Sequence, residues 1–169
     1  MSSDDSKGLK MQLPNAVLIP EIIRLLEEGH TVTLRLRGIS MRPFLENDRD
    51  VALLTKSKET KVGDPVLAEV SPKHYVFHRV IAINGERVTL RGDGNLSEEH
   101  CLLKDVKAGA IGFYRKGRDT LDRTDERKWK AYSFLWTHLY PIRRYLLAIY
   151  RRLALNEWGN VSKNHETKY

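Results

Sequence analysis

Long hydrophobic runs are missing from this 169-residue chain. No stretch reaches the roughly 18 uncharged apolar residues that a membrane-spanning helix requires, so no transmembrane helix is expected. Cysteine is almost absent. Cys101 stands alone, which excludes an intrachain disulfide and leaves the redox compartment open. In its Cys-Leu-Leu context this thiol is expected to be buried filler rather than a nucleophile. With 11 Gly and 6 Pro the chain is not of low complexity. The first residues, MSSDDSKGLKMQLPN, lack the charged-then-apolar plan of a secretory signal. No export by that route is expected, and the cytoplasm is the expected location. No internal repeat is visible, and neither a metal nor a cofactor is expected.

What is present describes a globular chain, 41% hydrophobic and 30% charged, of a size for one domain with an appendage. The net charge of +7 is uneven. Arg123, Arg127, Lys128, Lys130, Arg143, Arg144, Arg151 and Arg152 face only Asp125 and Glu126, so residues 123–152 carry nearly all the excess. A basic segment beside a near-neutral domain points to an anionic partner, lipid or nucleic acid.

Periodicity divides the chain. Residues 20–29 place Ile22, Ile23, Leu25 and Leu26 on one face of a short helix between Pro20 and Gly29. Alternation then starts at Val32, Leu34 and Leu36. Strand-like runs follow at 51–55, 65–70, 75–83, 88–91 and 110–114, separated by turn signals such as Gly63-Asp64, Asn84-Gly85 and Asp93-Gly94. Six or seven short strands predict a compact antiparallel sheet or partial barrel. The expected plan is a polar segment at 1–19, a β domain at 20–117, a linker at 118–127, a basic helical segment at 128–155 and a tail at 156–169. In the helical segment Trp129, Tyr132, Leu135, Trp136 and Leu139 share one face. After Pro141, so do Ile142, Tyr145, Leu146, Ile149, Tyr150 and Leu153, with Arg143, Arg144 and Arg151 opposite. This pattern suits a helical hairpin folded back on the domain. It also suits an interfacial anchor on anionic lipid, with Trp129, Trp136, Arg143, Arg144, Arg151 and Arg152 as contacts. Single-stranded nucleic acid is a poorer fit to helical amphipathicity.

Three stretches can carry chemistry. In GISMRPF, Gly38 permits unusual backbone angles and Pro43 ends the strand, which presents Ser40 at a turn. In YVFHRV, His78 shares a strand face with Val76 and Val80, so it reads as a core histidine or as a general base near neutral pH; His74 is the alternative base. In RGDGN, Asp93 is a turn residue or a carboxylate that orients an imidazole.

Together, G-x-S-M-x-P at 38–43, V-G-D-x-V at 62–66, H-R-V-I at 78–81 and R-G-D-G-N at 91–95 resemble the S24/S26 serine peptidase superfamily, which holds signal peptidase I and LexA-type self-cleaving repressors. The resemblance covers roughly residues 30–115. It implies a mainly β fold of coiled antiparallel sheets or a partial barrel, here with a short N-terminal helix and a C-terminal helical pair. Bacterial signal peptidases and LexA-type proteins use a lysine base where this chain has His78. That position is similar to the endoplasmic-reticulum, archaeal and SipW-type branch, which pairs its serine with histidine and aspartate. The resemblance therefore implies a serine endopeptidase acting on a precursor protein or leader peptide. Ser40 would be its nucleophile, His78 its base and Asp93 the orienting carboxylate, with Met41, Pro43, Asp64, Arg79, Gly92 and Asn95 in support. The Ser40 N–H is the expected oxyanion donor. Gly38, standing where many bacterial enzymes carry a hydroxyl, is a candidate second donor through its backbone. No N-terminal span is expected ahead of the motifs, which would depart from the family. A LexA-type regulator fits less well, because residues 1–30 cannot hold a three-helix domain and Ala108-Gly109 follows the motifs. The reading from another class is a non-catalytic binding module that docks lipid, nucleic acid or a partner through its basic C-terminal segment.

Overall fold

The computed structural model describes residues 15–57 and 59–165, with side chains over 17–57 and 59–153. Helix α1 (Asn15–Glu27) is followed by β1 (Val32–Arg35), β2 (Val51–Thr55), β3 (Pro65–Ser71), β4 (His74–Asn84), β5 (Arg87–Arg91) and β6 (Glu99–Leu102). After a short 3₁₀ turn come β7 (Val106–Tyr114), β8 (Leu121–Arg123), α2 (Arg127–His138) and α3 (Tyr140–His165). Of the polar segment expected at 1–19, residues 1–14 lie outside the described residues, as do 166–169 of the expected tail. Helix α3 runs past the expected end of the helical pair at 155.

The protein is mainly β. Among the described residues, eight strands form one open antiparallel sheet in the order β1-β2-β7-β3-β4-β5-β6, with β8 added beside β7. Asn84-Gly85 makes the β4–β5 hairpin, where Gly85 takes a φ of +59°. Two strands exceed the sequence expectation. β8 forms inside the expected linker, because Leu121–Arg123 pairs with β7 while Arg115 Nε donates to Asp122 Oδ2 at 2.6 Å. β6 pairs with β5 although only Cys101 among its residues is buried. Neither segment alternates in hydrophobicity, so the signal that identified the other strands is lacking. Bulges at Leu53/Leu54 and Val80/Ala82 bend the sheet.

The bent sheet carries two apolar clusters. The larger joins Ile19, Ile22 and Leu26 of α1 to Leu36, Met41, Leu45, Leu54, Leu67 and Phe113, and Trp129 of α2 completes it. The i, i+3, i+7 spacing of the α1 residues explains why that face is inside. Aromatic edges fasten α2 here: the Phe44 and Trp129 rings lie 4.5 Å apart at 75°. Such a pair contributes about 0.5–1.5 kcal/mol beyond its buried area. The smaller cluster, Val66, Ala68, Val80, Val88, Leu90 and Cys101, fills β3–β6. Cys101 is thus the buried filler expected, and burial pushes its thiol pKa up.

Candidate active site

Ser40 lies in the turn that follows β1. Gly38 adopts a φ of +92°, which an L side chain rarely tolerates, and its N–H donates to Asn47 Oδ1 at 2.7 Å. That bond occupies the Gly38 N–H, which removes it as the second oxyanion donor proposed from sequence. The Ser40 N–H, by contrast, donates to no acceptor among the described residues. The turn is anchored below by Met41 and Leu45, both buried. Beyond it, the fully buried Asp50 accepts from Glu46 N at 2.9 Å and Lys116 N at 3.1 Å, and pairs with Arg49. Burial pushes the Asp50 carboxyl up. The Arg49 guanidinium and the two backbone donors outweigh that and hold it below its ordinary value. Ser40 is half-buried and lines a small cavity of about 50 Å³ with Leu36, Arg37, Met41, Glu46 and Phe77.

His78 sits at the middle of β4 and is only 4% exposed. Alternation gives it the face of the smaller cluster, opposite Val66. Its Nδ1–H donates to Glu99 Oε2 at 2.5 Å. Glu99 reaches it from β6, where it pairs with Leu90 of that same cluster. A carboxylate on Nδ1 keeps the proton there and leaves the Nε2 lone pair free to accept. Burial holds the imidazole below its ordinary pKa, against the opposing pull of Glu99. His74, the alternative base, is exposed at the start of β4.

Gly92 brings the serine turn and the histidine together. A Cβ on Gly92 would stand 2.4 Å from the Ser40 carbonyl oxygen and 3.1 Å from His78 Nε2. Both groups therefore converge on one point, which only a residue without a side chain leaves open. The same turn is tied down by Gly94 N–H, which donates to the Ser40 carbonyl at 2.7 Å. A Cβ on Gly94 would come within 2.7 Å of the Ile39 carbonyl. The two glycines of R-G-D-G-N thus serve close backbone approach. Asn95 closes the turn through its N–H to the Gly92 carbonyl at 3.0 Å. The Ser40 hydroxyl makes no hydrogen bond to His78 in this arrangement, and catalytic contacts of this kind commonly tighten only around bound substrate.

Asp93 does not orient His78. Its carboxylate forms a bidentate pair with Arg79, at 2.8 and 2.7 Å, with both side chains about 1% exposed. The reason is strand alternation: Arg79 follows His78 and points to the opposite face of β4, where Asp93 arrives. The orienting carboxylate is Glu99 instead, on a strand whose sequence carried no strand signal. The Arg79 guanidinium also donates to Ser133 Oγ and the Gly63 carbonyl, and lies 5.0 Å from the Trp129 ring centroid. Trp136 Nε1 donates to the Asp93 carbonyl at 3.0 Å. Asp64 accepts Lys61 N–H at 2.9 Å and closes the turn before β3, while Pro43 follows a cis peptide in the Ser40 turn.

Three of the six expected surface contacts are interior. Trp129 belongs to the main core, Trp136 is bound to the Asp93 turn, and Arg143 is 1% exposed and donates to the Trp136 carbonyl at 2.7 Å. Sequence periodicity placed Arg143 opposite the apolar face, but α3 docks with Arg143 and Leu147 inward. Arg144, Arg151 and Arg152 are exposed. None of the protein-family models searched matches this chain, and no curated protein matches it either.

Proposed function

We propose that this protein is a serine endopeptidase of the signal-peptidase-like type, hydrolysing a peptide bond in a precursor protein or leader peptide. The convergence of His78 Nε2 and the Ser40 turn on Gly92, with Nδ1 held by Glu99, supports this reading more than any other observation. A serine hydroxyl is a weak nucleophile and needs a base that takes its proton as it attacks. Ser40 Oγ attacks the scissile carbonyl carbon and His78 Nε2 accepts the hydroxyl proton. The Ser40 N–H, which has no acceptor among the described residues, donates to the developing oxyanion. Glu99 stabilises the imidazolium, which passes its proton to the leaving amine. Water then hydrolyses the acyl-enzyme by the same base. The Arg79–Asp93 pair takes no part in proton transfer and holds the Gly92–Gly94 turn against the serine. The open antiparallel sheet accords with the finer reading of a signal peptidase/LexA type of fold.

The test is labelling by a serine-reactive phosphonate and cleavage of a peptide library, with Ser40→Ala and His78→Ala alongside. Both variants are expected to lose labelling and cleavage, His78→Ala by about 10²–10⁴-fold. Labelling that survives Ser40→Ala would sink the assignment.

A further inference from the structure

Helix α3 buries one face and leaves an apolar one uncovered. Inward, Arg143 and Leu147 are buried, and Tyr150 Oη–H donates to Glu46 Oε1 at 2.6 Å. Outward, Ile142, Tyr145, Ile149 and Leu153 are 48%, 56%, 57% and 62% exposed. Their spacing of i, i+3, i+7 and i+11 makes one continuous stripe on a helix. Every charged residue from Tyr140 to Leu153 is an arginine, and Arg144, Arg151 and Arg152 are exposed. Arg152 flanks the stripe by helical position, the Arg144 guanidinium lies 4.6 Å from the Tyr145 ring centroid, and Arg151 is on the far, polar side of the helix. On neighbouring α2, Phe134 and Leu135 are exposed as well.

We propose that this outer face of α3 docks the protein on an anionic membrane surface, the helix lying in the interface plane. An apolar stripe on a helix stretch whose only charges are cationic is matched by acyl chains below and anionic headgroups around. A second copy of the chain fits worse, because a facing α3 offers no acidic side chain between Tyr140 and Leu153 to meet these arginines. The surface differs from the one periodicity indicated: the tryptophans are inside, and isoleucine, leucine and tyrosine face the lipid. Helix α3 also borders the Ser40 site at two places. Tyr150 holds Glu46, which lines the cavity, and the Tyr140 ring lies 3.8 Å from the guanidinium of Arg91, the neighbour of Gly92. Docking therefore sets the cavity near the lipid surface. The docking itself does not depend on the peptidase reading.

Flotation of the full chain with phosphatidylcholine vesicles, with and without phosphatidylglycerol, tests this. Binding is expected on the anionic vesicles, weakened by salt. An Ile142→Asp, Ile149→Asp double variant is expected to bind at least about tenfold more weakly, with an unchanged melting temperature because both side chains are exposed. An Arg144→Gln, Arg151→Gln, Arg152→Gln variant is expected to lose the preference for anionic lipid. Ser40→Ala is expected to float like wild type, so a failed peptidase reading and a failed docking reading remain distinguishable. Wild type that ignores anionic vesicles, or an aspartate variant that floats undiminished, overturns the proposal. So does a concentration-dependent dimer, without vesicle binding, that Ile149→Asp dissolves.

Discussion

At the residue scale, two neighbours on β4 divide two carboxylates between them. His78 holds Glu99, and Arg79 holds Asp93. Their substitutions should separate. Glu99→Gln is expected to lower the rate of phosphonate labelling by about 10²–10⁴-fold, as loss of an orienting carboxylate does, with little change in melting temperature. Asp93→Asn leaves the buried Arg79 without its counter-charge. It is expected to cost about 3–5 kcal/mol of stability in urea unfolding. Equal effects on both measurements from both variants would remove the distinction. The pH dependence follows from burial of the imidazole. In the proposed mechanism neutral His78 is the base, and burial holds its pKa below the ordinary 6.5. The labelling rate should therefore stay flat at neutral pH and fall on acidification, with its inflection below 6.5. Glu99 raises that pKa, so Glu99→Gln should move the inflection to still lower pH. A wild-type inflection above 6.5 would be incompatible with this environment.

At the element scale, α2 is the buttress of the turn that carries Gly92. Ser133 and Trp136 reach the Gly63 and Asp93 carbonyls, and Trp129 and Tyr132 flank the Arg79 guanidinium. Trp136→Phe keeps most of the buried area but leaves the Asp93 carbonyl without its donor, at a cost of about 1–3 kcal/mol. The expected result is a lower melting temperature, together with slower Ser40 labelling as the turn loosens. Unchanged labelling in the folded variant would show that α2 stabilises the fold without positioning the site. The same element shows where legibility stopped. The helical pair was readable from its periodicity, but the same pattern left open whether it folds back on the domain or lies on lipid. Which face docked was not readable either: Arg143 lies inside because Trp136 offers both a carbonyl and a ring to its guanidinium. Those partners exist only once α2 is seated.

At the scale of the whole molecule, buried titratable groups predict a stability plateau. Folded His78 resists protonation, so the unfolded chain binds an extra proton below about pH 6.5 and stability falls as pH drops through that range. Asp50, held below its ordinary 3.8, adds a further loss in stronger acid. Cys101 and Tyr132 are both raised by burial, so the unfolded chain releases protons first above about pH 9 and stability falls there too. Urea midpoints measured from pH 4 to 10 should be highest between those limits. A midpoint that climbs steadily below pH 6 would contradict this. Sequence alone determined the β-rich class, the strands from β1 to β5 and β7, and the presence of helix towards both ends of the chain, and it nominated Ser40 and His78 as candidates. Those features rest on local periodicity, on turn chemistry and on motif spacing, all written in neighbouring residues. Tertiary structure alone decided that Glu99 serves His78, that Asp93 serves Arg79, and that α3 turns an apolar stripe outward. A carboxylate's partner depends on which strands lie side by side and which way each pleat faces. Strand pairing across β4, β5 and β6 settles that, and residues far apart in the chain are joined only there.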